Sequence, residues 1–185
     1  LSTALSPFSV TIPTETEKTE AVEFELPEVK AAGSGTCGGN LRWAISWTNE
    51  VTLTITGTGS MTNYSSSSKA PWYASRNTIT KIVIENGVTS IGDYAFNGLS
   101  KVKNIQIANS IQTVGEWAFA SCESLKAISL GENVEKIGDF AFYGCTKLDA
   151  VIIPDSVTSI GEGAFYSCWS LESVVIPDGI TTIEK

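Results

Sequence analysis

Three of the four cysteines, Cys122, Cys145 and Cys168, stand 23 residues apart. A thiol can serve as nucleophile, metal ligand or disulfide partner, and each role needs companions. The 185 residues include no histidine, so a Cys-His or Ser-His nucleophile pair is excluded within this chain. A zinc site takes about four ligands, and three cysteines without histidine fall short of that set. If neighbouring copies stack at sheet spacing, about 5 Å, a bridge between two of the three stays within disulfide reach. Leu99 holds the same place one period earlier. A position that accepts leucine as readily as cysteine reads foremost as a small buried hydrophobe.

Carboxylates are the other chemically capable groups. Asp149 and Glu172, one period apart, could work as acid and base, and the column Asp93, Glu116, Asp139, Glu162 could hold a hard cation such as calcium. Carboxylates repeated on a surface are more often simply solvated. An acidic residue in the first turn of a short helix is also favoured by free backbone N–H groups and the helix dipole, which accounts for the whole column without a metal. No P-loop or glycine-rich dinucleotide fingerprint is present. The expectation is a non-catalytic protein with no cofactor and no metal.

A net charge of −8 with 12 Lys and Arg argues against nucleic acid, whose binding depends on neutralising phosphates. No apolar run approaches the roughly 20 residues that cross a bilayer, so no membrane insertion is expected within this chain.

The elements that carry these groups follow from the period. Blocks 82–104, 105–127, 128–150 and 151–173 repeat without insertion, and a half copy occupies 174–185. Reading down the copies gives apolar columns: Ile84, Ile107, Leu130, Ile153, Ile176; Val88, Ile111, Val134, Val157, Ile180; and Ile91, Val114, Ile137, Ile160, Ile183. Phe96, Phe119, Phe142 and Phe165 form another column, each preceded by alanine. A fixed period with constant apolar columns is the signature of a solenoid, whose coils bury their hydrophobic faces only by stacking. Leu125–Asn133 fits the frame L-x-x-L-x-L-x-x-N, the strand and turn of a leucine-rich repeat. With the Gly-acidic and Ala-Phe segments downstream, each coil is expected to be a strand opposite a short helical turn, an α/β solenoid.

The segments Ile153–Phe165, IPDSVTSIGEGAF, and Leu130–Phe142, LGENVEKIGDFAF, resemble the BspA-like, or treponemal-class, leucine-rich repeat. The resemblance covers about 82–185 and implies a secreted or cell-surface protein acting in adhesion. It carries over no catalytic or ligand-contacting residue, because the family motif consists of core positions.

Outward positions of the strands form three columns: Thr80, Lys103, Lys126, Asp149, Glu172; Lys81, Asn104, Ala127, Ala150, Ser173; and Val83, Gln106, Ser129, Ile152, Val175. Core packing does not dictate these identities, so they are the candidates for recognition. Lys103, Asn104, Gln106, Lys126, Ser129, Asp149, Ile152, Glu172 and Val175 are the expected contacts for a protein or glycan partner. The alternative is a spacer that displays some other part of a larger surface protein. Tyr94, Trp117 and Phe140, with Tyr143, Tyr166 and Trp169, gather on the opposite side, where packing between coils is the favoured role.

Three units are expected along the chain. Residues 1–35 read as a linker or stalk, with alternation over 21–29 that suits an edge strand. Residues 36–78 read as a β-rich cap: a hairpin with strands around 41–45 and 51–55, a turn at Gly57–Gly59, and a filling of Cys37, Trp43, Trp47 and Trp72. The repeats occupy 79–185. At the C-terminal coil, Ile176, Ile180 and Ile183 would face water, so self-association there, or a natural chain that continues, is expected.

Overall fold

The computed structural model describes residues 30–180. Strands β1 (Lys30–Thr36), β2 (Asn40–Trp47) and β3 (Val51–Ser60) form an antiparallel meander. The expected hairpin is β2–β3, closed over Trp47↔Val51. β1 begins inside the segment read as a linker, while the edge strand expected over 21–29 lies outside the described residues. Glycines 57 and 59 do not make a turn. β3 continues through both, each with φ of 106°, and there it passes from the first ladder of the repeats to the second. Its first half pairs with the first strand of the repeats (Thr52↔Lys81), and its end pairs with the second (Gly59↔Val88). Gly57 is required at this corner: its φ is left-handed, and a Cβ there would collide with the Asn40 carbonyl.

Each repeat supplies two strands rather than one. The first set is β4 (Lys81–Ile84), β6 (Asn104–Ile107), β8 (Ala127–Ser129) and β10 (Ala150–Ile152). The second is β5 (Val88–Ile91), β7 (Thr113–Val114), β9 (Lys136–Ile137) and β11 (Ser159–Ile160). Both sets pair in parallel at the repeat period, as in Ile82↔Ile105 and Ile91↔Val114↔Ile137↔Ile160. The second ladder is continuous. The first pairs β4 with β6 and β8 with β10, but among the described residues no ladder joins β6 to β8. Among the described residues no strand of the first set forms after β10, so Glu172, near the end of the fourth copy, and Val175, in the fifth, follow the sheet rather than belong to it.

The helical turn expected in each coil is absent. The only helix among the described residues is a short 3-10 turn, Tyr73–Ser75, ahead of the repeats. Tyr94, Trp117 and Phe140 have φ of 53°, 55° and 53°, a left-handed conformation that no right-handed helix contains. Alternate N–H groups bond instead to the next coil: Tyr94 to Glu116, Phe96 to Ala118 and Gly98 to Ala120, each at 2.8 Å. The same three bonds recur from 117–121 to the third coil and from 140–144 to the fourth. The intervening N–H groups fold back three residues, as in Ala95 to Gly92 at 3.2 Å. The repeats are therefore strands joined by turns, and the turns are themselves laddered.

The core is the inside of this stack. Phe96, Phe119 and Phe142 are fully buried and overlap in a continuous pile, with centroids 5.2 and 5.3 Å apart and planes within 16°. Trp72 extends the pile at the N-terminal end, 5.6 Å from Phe96, and its Nε1–H donates to the Ala95 carbonyl at 2.8 Å. Cys37 and Trp72 fill the cap as expected and Trp43 packs partly buried against it, but Trp47, at the end of β2, is 45% exposed. At the far end the core thins: Phe165 is half-buried and Ile176 is 41% exposed. Ile183 lies outside the described residues.

Candidate interaction surfaces

The cysteine column is structural. Cys122, Cys145 and Cys168 are buried free thiols, and each S–H donates to the carbonyl of a phenylalanine one coil back: Phe96 at 3.5 Å, Phe119 at 3.2 Å and Phe142 at 3.1 Å. Burial pushes the Cys122 thiol up to about 12 and Cys37 up to about 11. Cys145 is raised too, by its contact with the Cys168 thiol and by burial. Cys168 is lowered instead, by its contact with the Cys145 thiol. The thiols that burial raises stay neutral at physiological pH and are poor nucleophiles and poor ligands.

The acidic column does not start helices. Asp93 Oδ1 accepts the Glu116 N–H at 2.8 Å, and Asp139 Oδ1 accepts the Glu162 N–H at 2.9 Å, so the short carboxylates tie one coil to the next. Asn63 does the same for Asp93 at 3.1 Å. Glu116 turns aside to accept the Trp117 Nε1–H at 3.1 Å. Among the described residues no group of His, Cys, Asp and Glu is placed to hold a metal ion.

Aromatics on the turn side cover one another. Tyr94, Trp117 and Phe140 stack at 5.9 and 4.7 Å, and Tyr143 stacks on Tyr166 at 5.8 Å. Faces used in this way are not available to a ligand. Only the last members of the run stand out in water, Tyr166 at 64% and Trp169 at 82% exposure.

The nine strand-face candidates, Lys103, Asn104, Gln106, Lys126, Ser129, Asp149, Ile152, Glu172 and Val175, are all exposed. The register sets Asn104 beside Lys81, Gln106 beside Val83, and Ser129 beside Ile152. Lys103, Asn104 and Lys126 meet at a hollow of about 470 Å³ that Lys147, Ser124 and Ala127 complete. Gln106, Ser129, Asp149, Ile152, Glu172 and Val175 lie outside it. Lys147 belongs to a neighbouring column that outward strand positions alone do not include; its lysine partner in that column, Lys101, was the available signal. A second feature missed from sequence is a groove of about 780 Å³ along β5, β7, β9 and β11, lined by Ser60, Ser90, Thr113, Lys136 and Ser159 with Asp93 and Asp139 on one wall. The only ion pair among the described residues, Lys81 Nζ to Glu50 Oε2 at 4.0 Å, lies at the cap.

Parallel strands at a 23-residue period, with laddered turns between them, define a strand-rich leucine-rich repeat protein, a general class of protein-interaction module. Residues 69–185 match the family described as BspA type leucine rich repeat region, in 6 copies, and the chain belongs to that family. None of the curated proteins matches it. Among solved structures it is similar to a leucine-rich repeat protein from Eubacterium ventriosum, with 31% identity and a TM-score of 0.72 over 82% of this chain and 40% of that one. It is also similar to a leucine rich cell surface protein from Faecalibacterium prausnitzii, with 26% identity and a TM-score of 0.57 over 77% of this chain and 37% of that one. The T. pallidum leucine rich repeat protein shares the fold at 21% identity, with a TM-score of 0.58 over 72% of this chain and 74% of that one. The chain thus spans less than half the length of the first two. The family and these relatives are repeat proteins, generally non-catalytic. Among the described residues no helix is long and apolar enough to cross a membrane.

Proposed function

We propose that this chain is a non-catalytic binding and adhesion module of a secreted or cell-surface protein, and that the face of β4, β6, β8 and β10 holds its protein or glycan partner. The observation that carries the reading is the exposure of side chains with no structural duty on that face, with Ile152 64% exposed beside the lysines and carboxylates. Apolar area left in water among mixed charges is what a partner can cover with gain. The cell-surface description of the Faecalibacterium relative supports the location. On this reading β1 and residues 36–78 cap the array of 79–185. Self-association through the C-terminal coil belongs to the same proposal and rests on the thinning core around Ile176.

The test is binding of the folded chain to panels of matrix proteins and glycans. Lys103→Glu with Lys126→Glu should weaken the signal, and more so at low salt, because such charges act largely through steering. Glu135→Lys, on the β9 side, should leave it unchanged. The opposite pattern would move the site to the groove of the second ladder.

A further inference from the structure

The strand face changes character where its ladder is interrupted. The Lys103 N–H donates to the Thr80 carbonyl at 2.9 Å and the Asp149 N–H to the Lys126 carbonyl at 2.8 Å, but no corresponding bond runs from Lys126 to Lys103. The hollow of about 470 Å³ opens at this step, lined in part by Lys103, Lys126 and Lys147. None of the three is in an ion pair among the described residues, although the chain as a whole carries a net charge of −8. Like charges gathered on one cleft repel each other, and an anionic occupant relieves that repulsion. The backbone N–H of Lys126 has no backbone partner among the described residues.

Beyond the hollow the sign reverses. Asp149 and Glu172 continue the column that Lys103 and Lys126 begin, and Ile152 and Val175 stand beside them at 64% and 84% exposure. A regular polyanion, such as a sulfated glycan, would run from the lysines onto these carboxylates within about 10 Å, two coil spacings, and be repelled. An extended polypeptide changes charge and polarity every 3.3 Å or so and can match all three zones in about five residues.

We propose that the strand face takes an extended segment of a partner protein, with acidic residues seated among Lys103, Lys126 and Lys147 and apolar then basic residues over Ile152, Val175, Asp149 and Glu172. This rests on the strand-face reading above and narrows its partner to a polypeptide.

The test uses fluorescence anisotropy with the folded chain and three probes: a labelled peptide of four glutamates, two leucines and two lysines in blocks; a peptide of the same composition in scrambled order; and a heparin-derived octasaccharide. The block peptide should bind, with the scrambled one weaker by about tenfold and the octasaccharide weaker still. Lys103→Glu/Lys126→Glu/Lys147→Glu should weaken the block peptide by about tenfold or more, and the triple Lys→Gln variant by less. These side chains are exposed, and circular dichroism of each variant verifies the fold. Equal binding of block and scrambled peptides, an unchanged triple variant, preference for the octasaccharide, or no binding of the block peptide each overturns the proposal. If a partner from the panels is lost on Ile152→Asp but kept by the triple lysine variant, the strand-face reading stands and the acidic-peptide subsite alone falls.

Discussion

Replacing Gly138 with alanine should destabilise the array by about 2–4 kcal/mol, against the usual direction of this substitution. Gly138 does not have a positive φ, so by chain entropy alone alanine would stabilise by about 0.4–1 kcal/mol. Its Cβ, however, would lie 2.7 Å from the Glu116 nitrogen, 2.8 Å from the Gly115 carbonyl carbon and 3.0 Å from its oxygen. These are backbone atoms of the preceding coil, and no rotamer change relieves them. The coils must separate instead, stretching the bond from the Gly138 N–H to the Val114 carbonyl, now 2.8 Å, and its neighbours in the β7–β9 ladder. Overpacking costs about 1–3 kcal/mol and each weakened bond about 1 kcal/mol, which outweighs the entropic gain. Gly39, in the cap, is the control: no atom lies within 4 Å of the place its Cβ would take, so Gly39→Ala should leave stability within about 1 kcal/mol of the parent. Urea unfolding followed by circular dichroism measures both. Equal midpoints for the two variants would refute the idea that backbone contact between coils explains the glycine column.

Phe142→Ala should cost about 3–5 kcal/mol, since Phe142 is fully buried and stacks on both sides, against Phe119 and Phe165, at 5.3 Å each. Phe165→Ala, half-buried with a single stacking partner, should cost clearly less; equal losses in a melting experiment would contradict the pile. Thiol ionisation gives a pH dependence with a definite sign. Cys122 is raised from 9.0 to about 12 on folding, so its contribution is fully present below pH 9 and is lost as pH rises from there toward 12, at about 1 kcal/mol by pH 10. Denaturation at pH 8 and pH 10 should show this loss, and Cys122→Val should reduce it; an unchanged slope would mean that the thiol is not buried. Native labelling of the cysteine column should also be far slower than labelling of denatured chain.

The repeat register, the apolar columns and the β2–β3 hairpin were legible because each is carried by side-chain chemistry that recurs. What escaped was carried by the backbone. β7, β9 and β11 are two residues each, too short to display a period-two alternation, and the three-residue spacings that end in them, Ile111/Val114, Val134/Ile137 and Val157/Ile160, are compatible with a helix. The Gly-acidic start followed by Ala-Phe suggested a helical turn, yet Tyr94, Trp117 and Phe140 adopt a left-handed φ that such residues rarely take. That conformation persists because the N–H of each is bonded to the next coil, a partner invisible to local sequence. The helix-start role expected of the acidic column is wrong: Asp93 and Asp139 satisfy N–H groups across coils, not within a helix. The outward columns predicted exposure of all nine candidate contacts, but not the missing ladder between β6 and β8 that opens the lysine hollow.

Recognition on the face of the first strand ladder is tested most directly by site-specific photo-crosslinking. A benzophenone side chain placed at Ser129, between the lysine hollow and Ile152, is compared with one at Glu162 on the turn side, each presented with the partner captured from the matrix-protein or glycan panels. A covalent adduct is expected from position 129 and none from position 162. An adduct from 162 alone would contradict strand-face recognition, and partner capture with no adduct from either position would place recognition elsewhere on the molecule.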